Sequence, residues 1–81
     1  MSDEKIYLTS EGFMEIEEEL NHLKNTKRPE VIKALKDARA LGDLSENADY
    51  DAARNEQAMV EGRIVELEKI LENAVIIEGN K

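Results

Sequence analysis

Ala53, Gln57, Val60, Ile64, Leu67, Leu71 and Ala74 follow one another at alternating spacings of four and three, so one apolar seam runs for three heptads through the second half of this chain. A repeat with that period is satisfied by an α-helix that lays the seam against another helix. The first half supplies the partner. Phe13, Ile16, Leu20 and Leu23 obey the same rule, and Val31, Leu35 and Ala38 resume it after a phase slip near Lys27 that coincides with Pro29. Proline removes a backbone hydrogen bond and clashes with the preceding turn. Two readings follow: a kinked continuous helix, or a new helix with Pro29 in its first turn and Thr26 as cap. The continuous helix matches the length of its partner better and is the reading adopted.

The ends of the helical stretches carry their own signals. Thr9 or Ser10, followed by Glu11, makes an N-cap with an acid in the first turn. Gly42 ends the first helix where a positive φ is easiest, and Ser45 can cap the second. The expected fold class is therefore all-α, a long antiparallel coiled-coil helical hairpin, with helices at about 10–41 and 46–73 and a tip at 42–45. At ~1.5 Å per residue its arms are roughly 40 Å long. Alanines gather near the turn (Ala34, Ala38, Ala40, Ala48, Ala52, Ala53), which predicts close backbones and a narrow tip. After Ala74 the pattern changes to "VIIEGNK", which reads as a small terminal strand or as the exit into a further domain. A thin, highly charged hairpin favours the exit.

Size and composition limit what such a hairpin can do. With 81 residues and no cysteine there is one small domain, no thiolate metal site, no thiol nucleophile, and little room for an internal active-site cavity. No apolar run approaches the ~20 residues of a membrane span, and "MSDEKIYLTS" lacks the apolar segment of a signal peptide, so the cytoplasm is the expected compartment. Nineteen acidic residues against eleven basic ones leave a net charge of −8, which argues against broad contact with a nucleic-acid backbone. The charge is unevenly placed. Residues 24–39 hold six basic and two acidic side chains, a balance of +4, so the other sixty-five residues carry −12. This segment is either a solvated helix face, which composition favours, or a basic stripe that meets an anionic partner.

The turn is unusually acidic: Asp43, Glu46, Asp49 and Asp51 fall within nine residues, with Arg39 and Arg54 just outside. Helix capping accounts for Glu46 and Asp49, which favour the positive end of the second helix. Asp43 precedes the cap and has no such task. Two carboxylates three residues apart across a tight turn also suit Mg²⁺, a cation that keeps several waters and shares its ligands with a partner or a phosphate. His22 is the only histidine, too few to make a metal site. Tyr50 can pack across the narrow tip or face a partner, with packing preferred. Gly62 lies on the outer face and has no evident task.

The block "GDLSENADYDAARNEQA", with "RPEV" before it and "EGRI" after it, resembles the signature of the bacterial Gre transcript cleavage factors, GreA type. The resemblance runs from "LTSEGF" to "NAVII", nearly the whole chain. It implies an N-terminal coiled-coil hairpin domain over 1–81, with 75–81 leading toward a C-terminal FKBP-like domain that lies outside this sequence. It also implies a function. Gre factors bind bacterial RNA polymerase in the transcription elongation complex and insert the hairpin through the secondary channel when the enzyme has backtracked. There they stimulate its hydrolysis of the extruded RNA 3′ end.

By that resemblance Asp43 and Glu46 are the two acids that assist the polymerase active site, helping to hold a Mg²⁺ ion shared with the polymerase and to orient a water. Arg39, Arg54, Ser45, Asn47 and Tyr50 would contact the RNA or the polymerase; for Arg39 and Arg54, surface ion pairing with Asp37, Asp51 or Asp43 is an equal alternative. The chain would be an accessory factor and not itself an enzyme, with no membrane partner and no small-molecule substrate. Two other readings are a Gre-like inhibitor that uses the same channel and a coiled-coil interaction module without a catalytic role. The first is free to lose the Asp43/Glu46 arrangement that this chain keeps, and the second leaves the acidic tip unexplained.

Overall fold

A computed structural model describes residues 4–42 and 47–77. Strand β1 (Ile6–Leu8) leads into α1 (Ser10–His22), a π-helical turn at Leu23–Lys27, and α2 (Arg28–Arg39). These make the first arm. The second arm is α3 (Ala48–Glu72), followed by strand β2 (Ala74–Ile76).

The antiparallel hairpin expected from the two seams is what forms. Leu20, Val31 and Leu35 from the first arm meet Ala53, Val60, Ile64 and Leu67 from the second in one buried cluster, with Ile16, Leu23, Tyr50, Ile70 and Leu71 packed around it. Leu67 and Ile64 are the large side chains removed completely from solvent. The molecule measures 59 × 27 × 13 Å, and the smallest dimension is close to the ~10–12 Å width of one helix. The arms therefore make a single layer, and each buries one face.

The phase slip has a definite cause. Around Pro29 the first arm neither breaks nor starts afresh: His22, Lys27 and Arg28 all keep right-handed helical dihedrals, and no side chain, Thr26 included, caps the junction. Instead the ladder widens, and the Arg28 N–H bonds to the Leu23 carbonyl five residues back. One extra residue in that turn carries the apolar stripe from Leu23 to Val31 on the same face. Pro29 follows directly, in the first turn of α2, where the missing N–H limits how far the widened ladder extends.

The ends differ from the sequence expectation by one or two residues, with one change of kind. Thr9 is the N-cap of α1, its hydroxyl accepting from the Gly12 N–H at 3.0 Å. The first arm stops at Arg39, not at 41, and the second starts at Ala48, not at 46. Ala74 was counted in the helical seam; α3 stops at Glu72 and Ala74 opens β2 instead. Asn73 makes that change of direction. Its side chain donates to the Lys69 carbonyl at 2.9 Å, while its own carbonyl accepts from the Ile6 N–H at 2.9 Å. Ala74–Ile76 therefore form a short strand, paired parallel to β1 with Ile6 opposite Ala74 and Leu8 opposite Ile76. The partner strand at Ile6–Leu8 was not anticipated; its signal was the β-branched and aromatic pair Ile6 and Tyr7. Among the described residues no helix is long and apolar enough to cross a membrane.

Candidate functional site at the hairpin tip

Small side chains bring the arms together toward the tip. Ala38 and Ala53 are buried, and with Ala34 and Ala52 they line an open groove of about 480 Å³ between α2 and α3. The first arm then turns out through Ala40 and Leu41, whose N–H bonds back to the Ala38 carbonyl at 3.1 Å. Gly42 follows with φ +104°, a backbone state that side chains bearing a Cβ rarely adopt, as its place at the end of the helix predicted.

Asn47 receives the chain on the other side. It is the N-cap of α3, a place that the sequence reading assigned to Ser45. Its Oδ1 accepts from the Tyr50 N–H at 3.0 Å, and its Nδ2 donates 2.7 Å across the hairpin to the Ala38 carbonyl. The side chain is buried, and both ends of its carboxamide are used. The second bond favours asparagine as the cap: a serine two residues earlier offers no carboxamide, whereas asparagine can cap its own helix and reach the other arm at once. Asp49 and Asp51 occupy the first turn of α3, as the helix dipole favours.

Tyr50 is the centre of a second convergence. Its ring packs against the core cluster, and the Arg39 and Arg54 guanidiniums lie 5.6 and 5.9 Å from the ring centroid. Each donates a long hydrogen bond to the phenol oxygen, 3.4 Å from Arg39 and 3.5 Å from Arg54. These bonds, the one from Arg39 first, lower the pKa of the Tyr50 hydroxyl from its ordinary value. Two positive groups from opposite arms therefore meet at one aromatic ring. Asp37, offered as an ion-pair partner for the arginines, is taken by Lys33 at 2.9 Å, and among the described residues neither arginine pairs with Asp37 or Asp51. Asp43, Ser45 and Glu46 lie outside the described residues. Among the described residues no three His, Cys, Asp or Glu side chains come together as a metal site. His22 is exposed at the end of α1.

Three of the six basic residues in 24–39 pair with carboxylates of the other arm, and Lys33 pairs with Asp37 on its own arm. Arg28 grips Glu61 through two hydrogen bonds of 2.8 Å, while Lys24 and Lys27 reach Glu68 and Glu56 at 3.4 Å each. Further toward the base, Arg63 grips Glu19 in the same forked way at 2.8 and 3.1 Å. The hydrogen bond from Arg28 lowers the Glu61 pKa, and the one from Arg63 lowers that of Glu19. Pairs as open to solvent as these add little stability, but forked geometry between arms specifies register. Of the six basic residues, Lys36 and Arg39 are left without a carboxylate partner among the described residues.

The family profile described as "Transcription elongation factor, N-terminal", that of GreA and GreB, matches residues 6–76. The chain belongs to this family. It is 58% identical over 81 residues to transcription elongation factor GreA of Acholeplasma laidlawii (strain PG-8A), covering 99% of this chain and 51% of that protein. To the GreA of Shouchella clausii (strain KSM-K16) it is 53% identical over 79 residues, covering 98% and 50%. To that of Bacillus cereus (strain AH187) it is 56% identical over 81 residues, covering 99% and 51%. This GreA-type N-terminal chain thus spans about half the length of the curated relatives it matches.

Proposed function

We propose that this GreA-type hairpin enters the secondary channel of RNA polymerase tip first and stimulates the polymerase's own hydrolysis of extruded RNA in backtracked complexes. One observation carries the reading: guanidiniums from opposite arms converge on Tyr50 beside a four-residue tip whose sequence holds Asp43 and Glu46. A one-layer hairpin has a narrow cross-section suited to entering a channel, and its ion pairs between arms fix their register. Arg39 and Arg54, gathered by Tyr50, then offer positive charge to a phosphodiester.

Two carboxylates are too few to hold a magnesium ion alone, and a shared ion is what that donor set fits. Asp43 and Glu46, together with ligands of the polymerase, would hold Mg²⁺, which would supply a water of lowered pKa and charge stabilisation at the phosphate. The chain's own part is to bring two negative groups to the reacting centre, orient the attacking water by hydrogen bonding, and hold the RNA end through the arginines. On this reading the chain is an accessory factor for a reaction whose active site belongs to the polymerase. Its setting would be the cytoplasm.

The test is a cleavage assay on stalled elongation complexes. Asp43→Asn keeps the shape of the side chain, so helix content and melting temperature stay near those of the unmodified chain, while stimulation collapses even at saturating protein. Raising Mg²⁺ restores part of it by mass action. Glu46→Gln behaves alike. Because α3 begins at Ala48 behind the Asn47 cap, residue 46 precedes the helix, and its loss of charge costs little stability. Unmodified stimulation by Asp43→Asn at limiting Mg²⁺ would remove the metal role and return the acidic turn to solubility and capping.

A further inference from the structure

We propose that Asn47 is a positioning residue: its buried carboxamide bolts the end of the first arm to the start of the second, and so sets where the tip carries its acids. The idea rests on the functional reading above and gives Asn47 a task different from touching RNA or polymerase. The Ala38 carbonyl lies in the last turn of α2, where carbonyls lack helical partners. It accepts from the Leu41 N–H at 3.1 Å along its own arm and from Asn47 Nδ2 at 2.7 Å across the hairpin. Asn47 Oδ1 in turn holds the Tyr50 N–H, and the Tyr50 ring and hydroxyl gather Arg39 and Arg54. One amide thus links α2, the first turn of α3 and the paired guanidiniums.

Burial makes that link directional. Ala38 and Asn47 are both buried, so water does not compete freely for the bond between them. Only four residues separate Gly42 from Asn47, and both flanks are tethered, Gly42 by its N–H bond to the Arg39 carbonyl at 3.1 Å and Asn47 by its two bonds. Loss of the bond across the hairpin frees one flank while leaving the stem intact, since Ile64 and Leu67 pack far along the second arm.

Asn47→Asp and Asn47→Ser separate capping from bridging. Both residues are good N-caps and keep an acceptor for the Tyr50 N–H. The aspartate carboxylate has no proton to give the Ala38 carbonyl, and serine is too short to span the arms. The chain has no cysteine, so spin labels can be placed cleanly at Ala40 and Ala48, both exposed. The unmodified chain should give a narrow distance distribution between them, and both variants a broader one, with helix content retained. In the cleavage assay the variants should keep the half-saturating concentration and lose saturated rate by roughly 10- to 100-fold, the scale on which small misplacement of reacting groups acts.

Unmodified distance distributions in both variants would overturn the bridge. A rate loss without broadening would make Asn47 a contact residue, and broadening without a rate loss would remove its positional role; either result overturns the proposal. If the unmodified chain gave no stimulation, the functional reading and the positional role would fall together, while the distance measurement would still decide whether the bridge exists.

Discussion

Leu67 and Ile64 in the stem are large and wholly buried, whereas the matching places near the tip are held by Ala38 and Ala53. The stem adds forked ion pairs between arms at Arg28–Glu61 and Arg63–Glu19, and the tip adds hydrogen bonds through Asn47 and two guanidiniums gathered at the Tyr50 ring. Apolar burial scales with side-chain size, so the stem supplies most of the folding free energy. Alanines supply little of it, but they let two backbones approach closely enough for one amide to bridge them. Stability and tip geometry are thus held by different residues, and damage to one should be separable from damage to the other.

The largest effect expected is in the stem. Leu67→Ala removes a side chain with no exposed surface and should cost about 2–5 kcal/mol, read as a lowered midpoint in chemical denaturation. If it cost no more than a change at the exposed surface, the division between stem and tip would not hold.

Gly62→Ala should sharpen the comparison in the opposite direction. A Cβ at Gly62 would meet nothing within 4 Å, so alanine gains helix propensity without a clash. Stability should rise by roughly 0.5–1 kcal/mol, with the tip spin-label distances unchanged. A shift in those distances would mean that the outer face of α3 and the tip are coupled.

The smallest effect belongs to the ion pairs. Arg28 lowers the pKa of Glu61 below its ordinary 4.5, so the carboxylate's contribution is fully present above about 4.5 and is lost as pH falls through the lowered folded value. Denaturation series of the chain and of Glu61→Gln should therefore show a modest difference near neutral pH that closes in acid. A gap that persists below the folded value would show that the difference does not come from the ionised carboxylate.

The periodicity of residues 53–71 determined the second helix, and the same rule in the first half determined its partner, because one apolar face per helix leaves few ways to hide both. Thr9 and Gly42 were legible for the same reason: caps and positive-φ turns are local chemistry. Tertiary structure decided the rest. Phase slip and proline marked the place of a change near Lys27, but only the packed arms show that a widened turn absorbs it. For the basic run 24–39, only the folded hairpin places Glu56, Glu61 and Glu68 opposite Lys27, Arg28 and Lys24. Ser45 and Asn47 are both good caps in one dimension. The carbonyl of Ala38, nine residues earlier in the chain and 2.7 Å away in space, selects the asparagine, because a bond between arms depends on where the backbones meet and no local propensity records that.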